Sequence, residues 1–105
     1  MTGATPRGDY RISLVRQGGF AGTSVTHEAD SRNLCDAEAA TLRFLIEASG
    51  LTSGAPDVRA PLAAAGRDLF SWEITVDGPV ETYRTTVRED AMGPVLSRLV
   101  AFVRR

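Results

Sequence analysis

Tyr10, Ile12 and Leu14 alternate with Arg11 and Ser13, the period-two pattern of a strand with one buried face. The alternation breaks at residues 17–22, Gln-Gly-Gly-Phe-Ala-Gly, and resumes over residues 23–29, where Thr23, Val25 and Thr26 are β-branched. Two strands around a glycine-rich stretch predict a hairpin whose loop exceeds the minimal two-residue turn. Residues 30–33 are turn chemistry. From Asp36 the period changes: Ala39, Leu42, Leu45, Ile46 and Ser49 recur at three and four, which gives a helix one apolar face. Asp36 and Glu38 suit its positive end, and Gly50 is placed to cap it in the left-handed conformation, with Leu51 folding back.

Residues 52–67 hold two prolines, two glycines and no periodicity, and predict a long surface connection with a helical turn at residues 61–65. Phe70, Trp72, Ile74 and Val76 then alternate with Ser71, Glu73 and Thr75, and Asp77-Gly78 is the strongest hairpin signal in the chain. The return strand is expected over residues 80–88. Asp77-Gly78 as a two-residue turn puts Trp72 opposite Tyr83, although Pro79 leaves that register open. Pro94 opens a final helix with the stripe Leu96, Leu99, Val100 and Val103. Arg104 and Arg105 lie at its negative end, where helix stability accounts for them without a binding role.

The order ββαββα predicts an α+β fold: a four-stranded antiparallel sheet with two helices on one face. Residues 10–105 read as one such domain and residues 1–9 as a disordered leader. The 105 residues suffice for one modest core. The two halves share an element order, with no repeat at the level of residues.

Composition narrows function mainly by exclusion. The net charge is -1, so neither nucleic acid nor a membrane surface is indicated as a partner. All 12 basic residues are Arg, which compositional bias explains more simply than planar anion recognition. One cysteine, Cys35, excludes an internal disulfide. Residues 1–8 lack the apolar stretch of a secretory signal, and no run approaches the ~20 residues that span a bilayer. A bacterial-type cytoplasm is the expected location, with non-standard export leaving no trace. The expected state is a monomer, and a free sheet edge permits a dimer without demanding one.

No residue set supports catalysis. His27-Glu28 opens like H-E-x-x-H, but Ser31 stands where the second histidine is required, on a strand instead of a helix. A zinc site needs three or four ligands, and His27 and Cys35 lack companions, so no metal or cofactor is expected. Cys35 with His27 lacks an orienting third group, and Cys35 reads as a capping or packing residue. Glu89-Asp90 reads as solvated turn charge. The glycines near residue 18 have no P-loop lysine.

One segment resists a purely structural account: Gly18, Gly19, Phe20, Ala21 and Gly22. Three glycines allow left-handed turns and close approach by another chain. Phe20 either folds back to plug the open end of the sheet or serves as an anchor for a partner.

With Arg16 and Gln17 before it, this segment resembles the opening of the emfourin family, small inhibitors of protealysin and other thermolysin-like zinc metallopeptidases. The resemblance runs through Asp36-Ala37-Glu38-Ala39-Ala40, Leu42 and Leu45, the hairpin over residues 70–87 and the final helix. It covers roughly residues 10–105 and is weakest over 52–67. Only the GGFAG stretch is specific. The chain departs at Cys35-Asp36, where the family pattern has Ser or Asp followed by Pro. The resemblance implies a metallopeptidase partner, with Gly18 to Gly22 as the partner-binding residues and no catalytic residue. Phe20 is then expected in the primed-side pocket, with flanking backbone free to pair with an edge strand of the enzyme. The competing class is a non-inhibitory protein–protein interaction module, an adaptor or accessory subunit using the same loop or a sheet edge.

Overall fold

The computed structural model describes residues 9–18, 24–58 and 70–105. β1 (Arg11–Gly18) and β2 (Val25–Asp30) make the first hairpin, and α1 (Asp36–Ala48) follows. β3 (Phe70–Asp77) and β4 (Thr82–Arg88) make the second, and α2 (Pro94–Arg104) completes the order ββαββα. Every pairing is antiparallel, in the spatial order β2-β1-β3-β4, so β1 and β3 are central. The α+β class expected from the periodicities is the observed one.

Strand alternation dictates which face is covered. Ile12, Leu14, Trp72, Ile74 and Val76 turn to one side and are almost wholly buried. Leu42, Leu45 and Ile46 of α1 meet them, as do Leu96, Leu99 and Val100 of α2. Each such side chain contributes about 1.5–3 kcal/mol on burial. The opposite face carries Arg11, Ser13, Glu73, Thr75, Arg84 and Thr86, none of them buried. One face makes the core.

α1 ends as its sequence implies. Gly50 takes φ 79°, and Leu51 tucks into the core at 5% exposure. Its start is different. Cys35 occupies the N-cap position with extended backbone, makes no side-chain cap hydrogen bond and is exposed, so it neither caps by its side chain nor packs. A single 3-10 turn, Ser31–Asn33, follows β2, with Asp30 at its N-cap accepting the backbone N–H of Arg32 at 2.9 Å. The Arg32 guanidinium bonds to the same carboxylate and holds Asp30 below its ordinary pKa. Asp9, the last residue assigned to the leader, accepts the Ser31 hydroxyl at 3.0 Å; the rest of that segment lies outside the described residues.

The second hairpin departs from expectation. Trp72 pairs with Val87, and Tyr83 pairs with Val76, so the strands are displaced from the register a two-residue Asp77-Gly78 turn would set. Residues 78–81 make a wider loop, in which the Gly78 N–H donates to the Glu81 carbonyl at 2.9 Å. The cause is chemical: the two-residue turn needs the N–H of the residue after Gly78, and that residue is Pro79.

The connection after α1 is fastened, at least through Val58. The Asp57 N–H donates to the Ser49 carbonyl at 2.7 Å, and Val58 bridges to Met92. Oδ2 of Asp57 accepts the N–H groups of Val95 and Leu96, at 2.8 and 3.1 Å. Its backbone carbonyl takes the N–H of Gly93 at 2.8 Å. Thus α2 is capped by a carboxylate distant in sequence, while Gly93, at the N-cap position, has no side chain to offer. A Cβ on Gly93 would run into the Asp57 carboxylate. The helical turn expected at residues 61–65 lies outside the described residues.

Two outcomes test this frame. Asp57→Ala should lower stability by about 0.5–2 kcal/mol, as loss of a helix cap does. Gly93→Ala should also destabilise, in chemical denaturation of each variant. Equal midpoints for wild type and Asp57→Ala would rule out the cap. Separately, Tyr10 donates its hydroxyl to Glu47 at 3.2 Å, and burial, then the Glu47 charge, raises its pKa above 10.0. The protonated phenol is the favoured form in the fold. Its contribution should therefore be complete at neutral pH and drain away as pH rises through the folded value. Tyr10→Phe should flatten that alkaline loss in thermal melts against pH.

Candidate functional site

The loop singled out by sequence leaves β1 at Gly18 and returns to β2 near Ser24. Gly18 closes β1 opposite Phe70 and has φ 104°, a left-handed conformation that strains any residue with a side chain. It is exposed, as is Ser24. Gly19, Phe20, Ala21 and Gly22 lie outside the described residues. Gln17 and Gly18, read from sequence as the start of the break, still pair with Ser71 and Phe70. The strand therefore carries the chain to the first glycine of the loop.

What surrounds that exit is more specific than sequence suggested. Arg16 shares the strand face of Ile12 and Leu14, where the alternation calls for an apolar side chain. Phe70 and Trp72 accommodate it. The Arg16 guanidinium carbon lies 3.7 Å from the Phe70 ring centroid and 5.6 Å from that of Trp72. Arg104, from the last turn of α2, reaches the same indole at 5.3 Å. These are cation–π distances, worth about 0.5–1 kcal/mol at exposed sites and more where water is excluded.

Glu89, in the 3-10 turn after β4, completes the cluster. Its Oε1 accepts the Trp72 indole N–H at 3.0 Å and lies 3.3 Å from Arg16 Nε. The second contact has ion-pair distance but lacks hydrogen-bond alignment. Glu89 is exposed in its turn, as solvated turn charge would be, and in addition partners the tryptophan and the arginine. His27 sits on β2 opposite Leu14, with its ring 6.2 Å from Trp72. Its ring neighbour is an aromatic side chain, and Cys35 is exposed at the far end of a different element.

A cavity of about 180 Å³ opens beside this cluster, lined by Trp72, Glu89, Met92, Ser97, Val100, Ala101 and Arg104. A larger one, about 550 Å³, lies between β2 and the ends of the helices, among Glu28, Asp30, Leu34, Glu38, Phe102 and Arg105. Arg105 pairs there with Glu38 at 3.0 Å and holds that carboxyl below its ordinary pKa. Among the described residues no group of His, Cys, Asp and Glu could hold a metal ion. No described helix is long and apolar enough to cross a membrane.

Sequence reasoning placed the glycine-rich connection between β1 and β2 but did not bring Arg16, Glu89 and Arg104 together around Trp72. A signal for Arg16 was present: a charged residue falls on the apolar phase of β1. Removing Glu89 as Glu89→Ala should cost about 1–3 kcal/mol, because the indole N–H loses its acceptor and Arg16 its ion-pair partner. Trp72 is the only tryptophan, so its fluorescence reports the change directly. An unaltered emission spectrum together with unaltered stability would show that Glu89 does not organise this end of the sheet.

The sequence model of the family described as Emfourin matches residues 14–104, and the chain belongs to that family. No curated protein matches it, and no solved structure does.

Proposed function

We propose that this member of the emfourin family is a protein inhibitor of thermolysin-like zinc metallopeptidases, and that Gly18 to Gly22 enter the enzyme's active-site cleft. Family membership over residues 14–104 is the observation that carries the inhibitor reading. The loop assignment is supported by the position of Gly18, left-handed and exposed at the end of a central strand.

In this reading the sheet is a holder. β1 is hydrogen-bonded on both sides, to β2 and β3, so the loop springs from a strand that cannot bend away cheaply. A loop held at both ends loses less conformational entropy on binding than a free peptide, and that saving appears as affinity. Gly19-Phe20 mimics a cleavable bond followed by a bulky apolar residue. Phe20 fills the primed-side pocket, and the glycines let an enzyme edge strand approach the loop backbone. The inhibitor itself then needs no catalytic residue and no cofactor. It works by occupying the cleft.

Phe20→Ala should raise the inhibition constant against a thermolysin-like peptidase by ~30-fold or more, the effect of truncating an aromatic anchor of at least 2 kcal/mol. Its stability should change little. A folded Phe20→Ala protein with the wild-type inhibition constant would remove Phe20 from the mechanism. Wild-type protein that binds such a peptidase and leaves peptide cleavage untouched would favour the adaptor class instead.

A further inference from the structure

The Arg16–Trp72–Glu89–Arg104 cluster has a charge imbalance. Two guanidinium carbons lie within 5.6 Å of one indole centroid, and Glu89 reaches only one of these groups, that of Arg16. Arg16 is the better satisfied of the two: it stacks on Phe70, pairs with Glu89 and is only 27% exposed. Arg104 stacks on Trp72 and has no ion-pair partner among the described residues. The cluster therefore carries a local excess of one positive charge in a chain whose net charge is -1.

The Arg104 guanidinium lies within cation–π distance of the indole, is exposed, and keeps N–H groups that can receive a carboxylate in a two-bond fork. Helix-end electrostatics would account for a cation at residue 104, but not for its placement over the indole beside the loop exit. The cavity next to Arg104, about 180 Å³, is lined by Met92 and Val100 together with the opposite charges of Glu89 and Arg104. The strand register adds continuity. Trp72 pairs with Arg16, two residues before Gly18, and Phe70 pairs with Gly18 itself.

We infer that Arg104, supported by Trp72 and flanked by Arg16, forms a second contact surface that binds a carboxylate side chain on the rim of the peptidase cleft. This rests on the inhibitor reading above. The partner's group is anionic because, among the described residues, the carboxylate of this cluster, Glu89, is already shared by the Trp72 N–H and Arg16 and no carboxylate pairs with Arg104. The loop fills the cleft, and the arginine surface guides and orients its approach. Opposite charges at the edge of an interface act chiefly on association rate and on its salt dependence.

The experiment compares Arg104→Glu with Arg98→Glu, an identical charge change at another exposed position of α2. Association and inhibition by the full chain are measured against a thermolysin-like peptidase from low to physiological salt. Arg104→Glu should slow association at least ~10-fold more than Arg98→Glu and flatten its salt dependence. Arg104→Lys should recover most of the rate. Trp72 fluorescence and thermal melts confirm the fold, and Arg104→Gln replaces the glutamate variant if that one unfolds. Equal rates for Arg104→Glu and Arg98→Glu would overturn the inference. Phe20→Ala measured alongside separates the two ideas. Loss in Phe20→Ala with none in Arg104→Glu leaves the loop and removes the surface. Loss in Arg104→Glu with none in Phe20→Ala does the reverse.

Discussion

The burial of Trp72 sets the geometry at the end of the sheet from which the loop departs. Its indole is 1% exposed, between a central strand and α2, and its one polar atom must find an acceptor. Glu89 supplies it, from a turn that β4 delivers to that place. The same carboxylate neutralises Arg16, which in turn covers Phe70. A large buried aromatic side chain thus couples β1, β3, the turn after β4 and the last turn of α2. Shifting any one of them would leave either a cavity or an unpaired polar group.

The other end of α2 is governed by Asp57. Helices leave their first N–H groups without partners, and the N-terminus of α2 begins with Gly93-Pro94, which brings no capping side chain. A carboxylate from the preceding connection closes the gap and brings that connection against the helix. This explains why the chain can follow α1 with an aperiodic stretch and still hold Leu51 in the core and Val58 beside Met92. Gly93 is needed here for close approach, not for an unusual backbone angle: its φ is an ordinary -76°.

Together these two anchors divide the molecule into a scaffold and a presented edge. The polar face of the sheet and the outer faces of the helices carry ordinary surface chemistry. The end marked by Gly18, Phe70 and Arg104 concentrates a left-handed glycine, stacked arginines and a small cavity. A recognition protein gains from such an arrangement, since rigidity behind a contact surface lowers the entropy lost on association. The cost of assembling charged and aromatic groups there is met within the fold, before any partner arrives.

The amino-acid pattern alone determined the element order, the covered face of the sheet, the α1 cap at Gly50 and the existence of a glycine-rich connection between β1 and β2. These are local properties, written in periods of two and 3.6 and in the backbone freedom of glycine. The pattern could not place Trp72 opposite Val87, because register depended on how the chain closes a turn when Pro79 withholds a hydrogen-bond donor. Nor could it find Asp57 as the cap of a helix nearly forty residues away, or join Arg16, Glu89 and Arg104 around one indole. Those contacts couple residues distant in sequence, and only the packing of helices on a sheet decides which of many equally charged side chains meet.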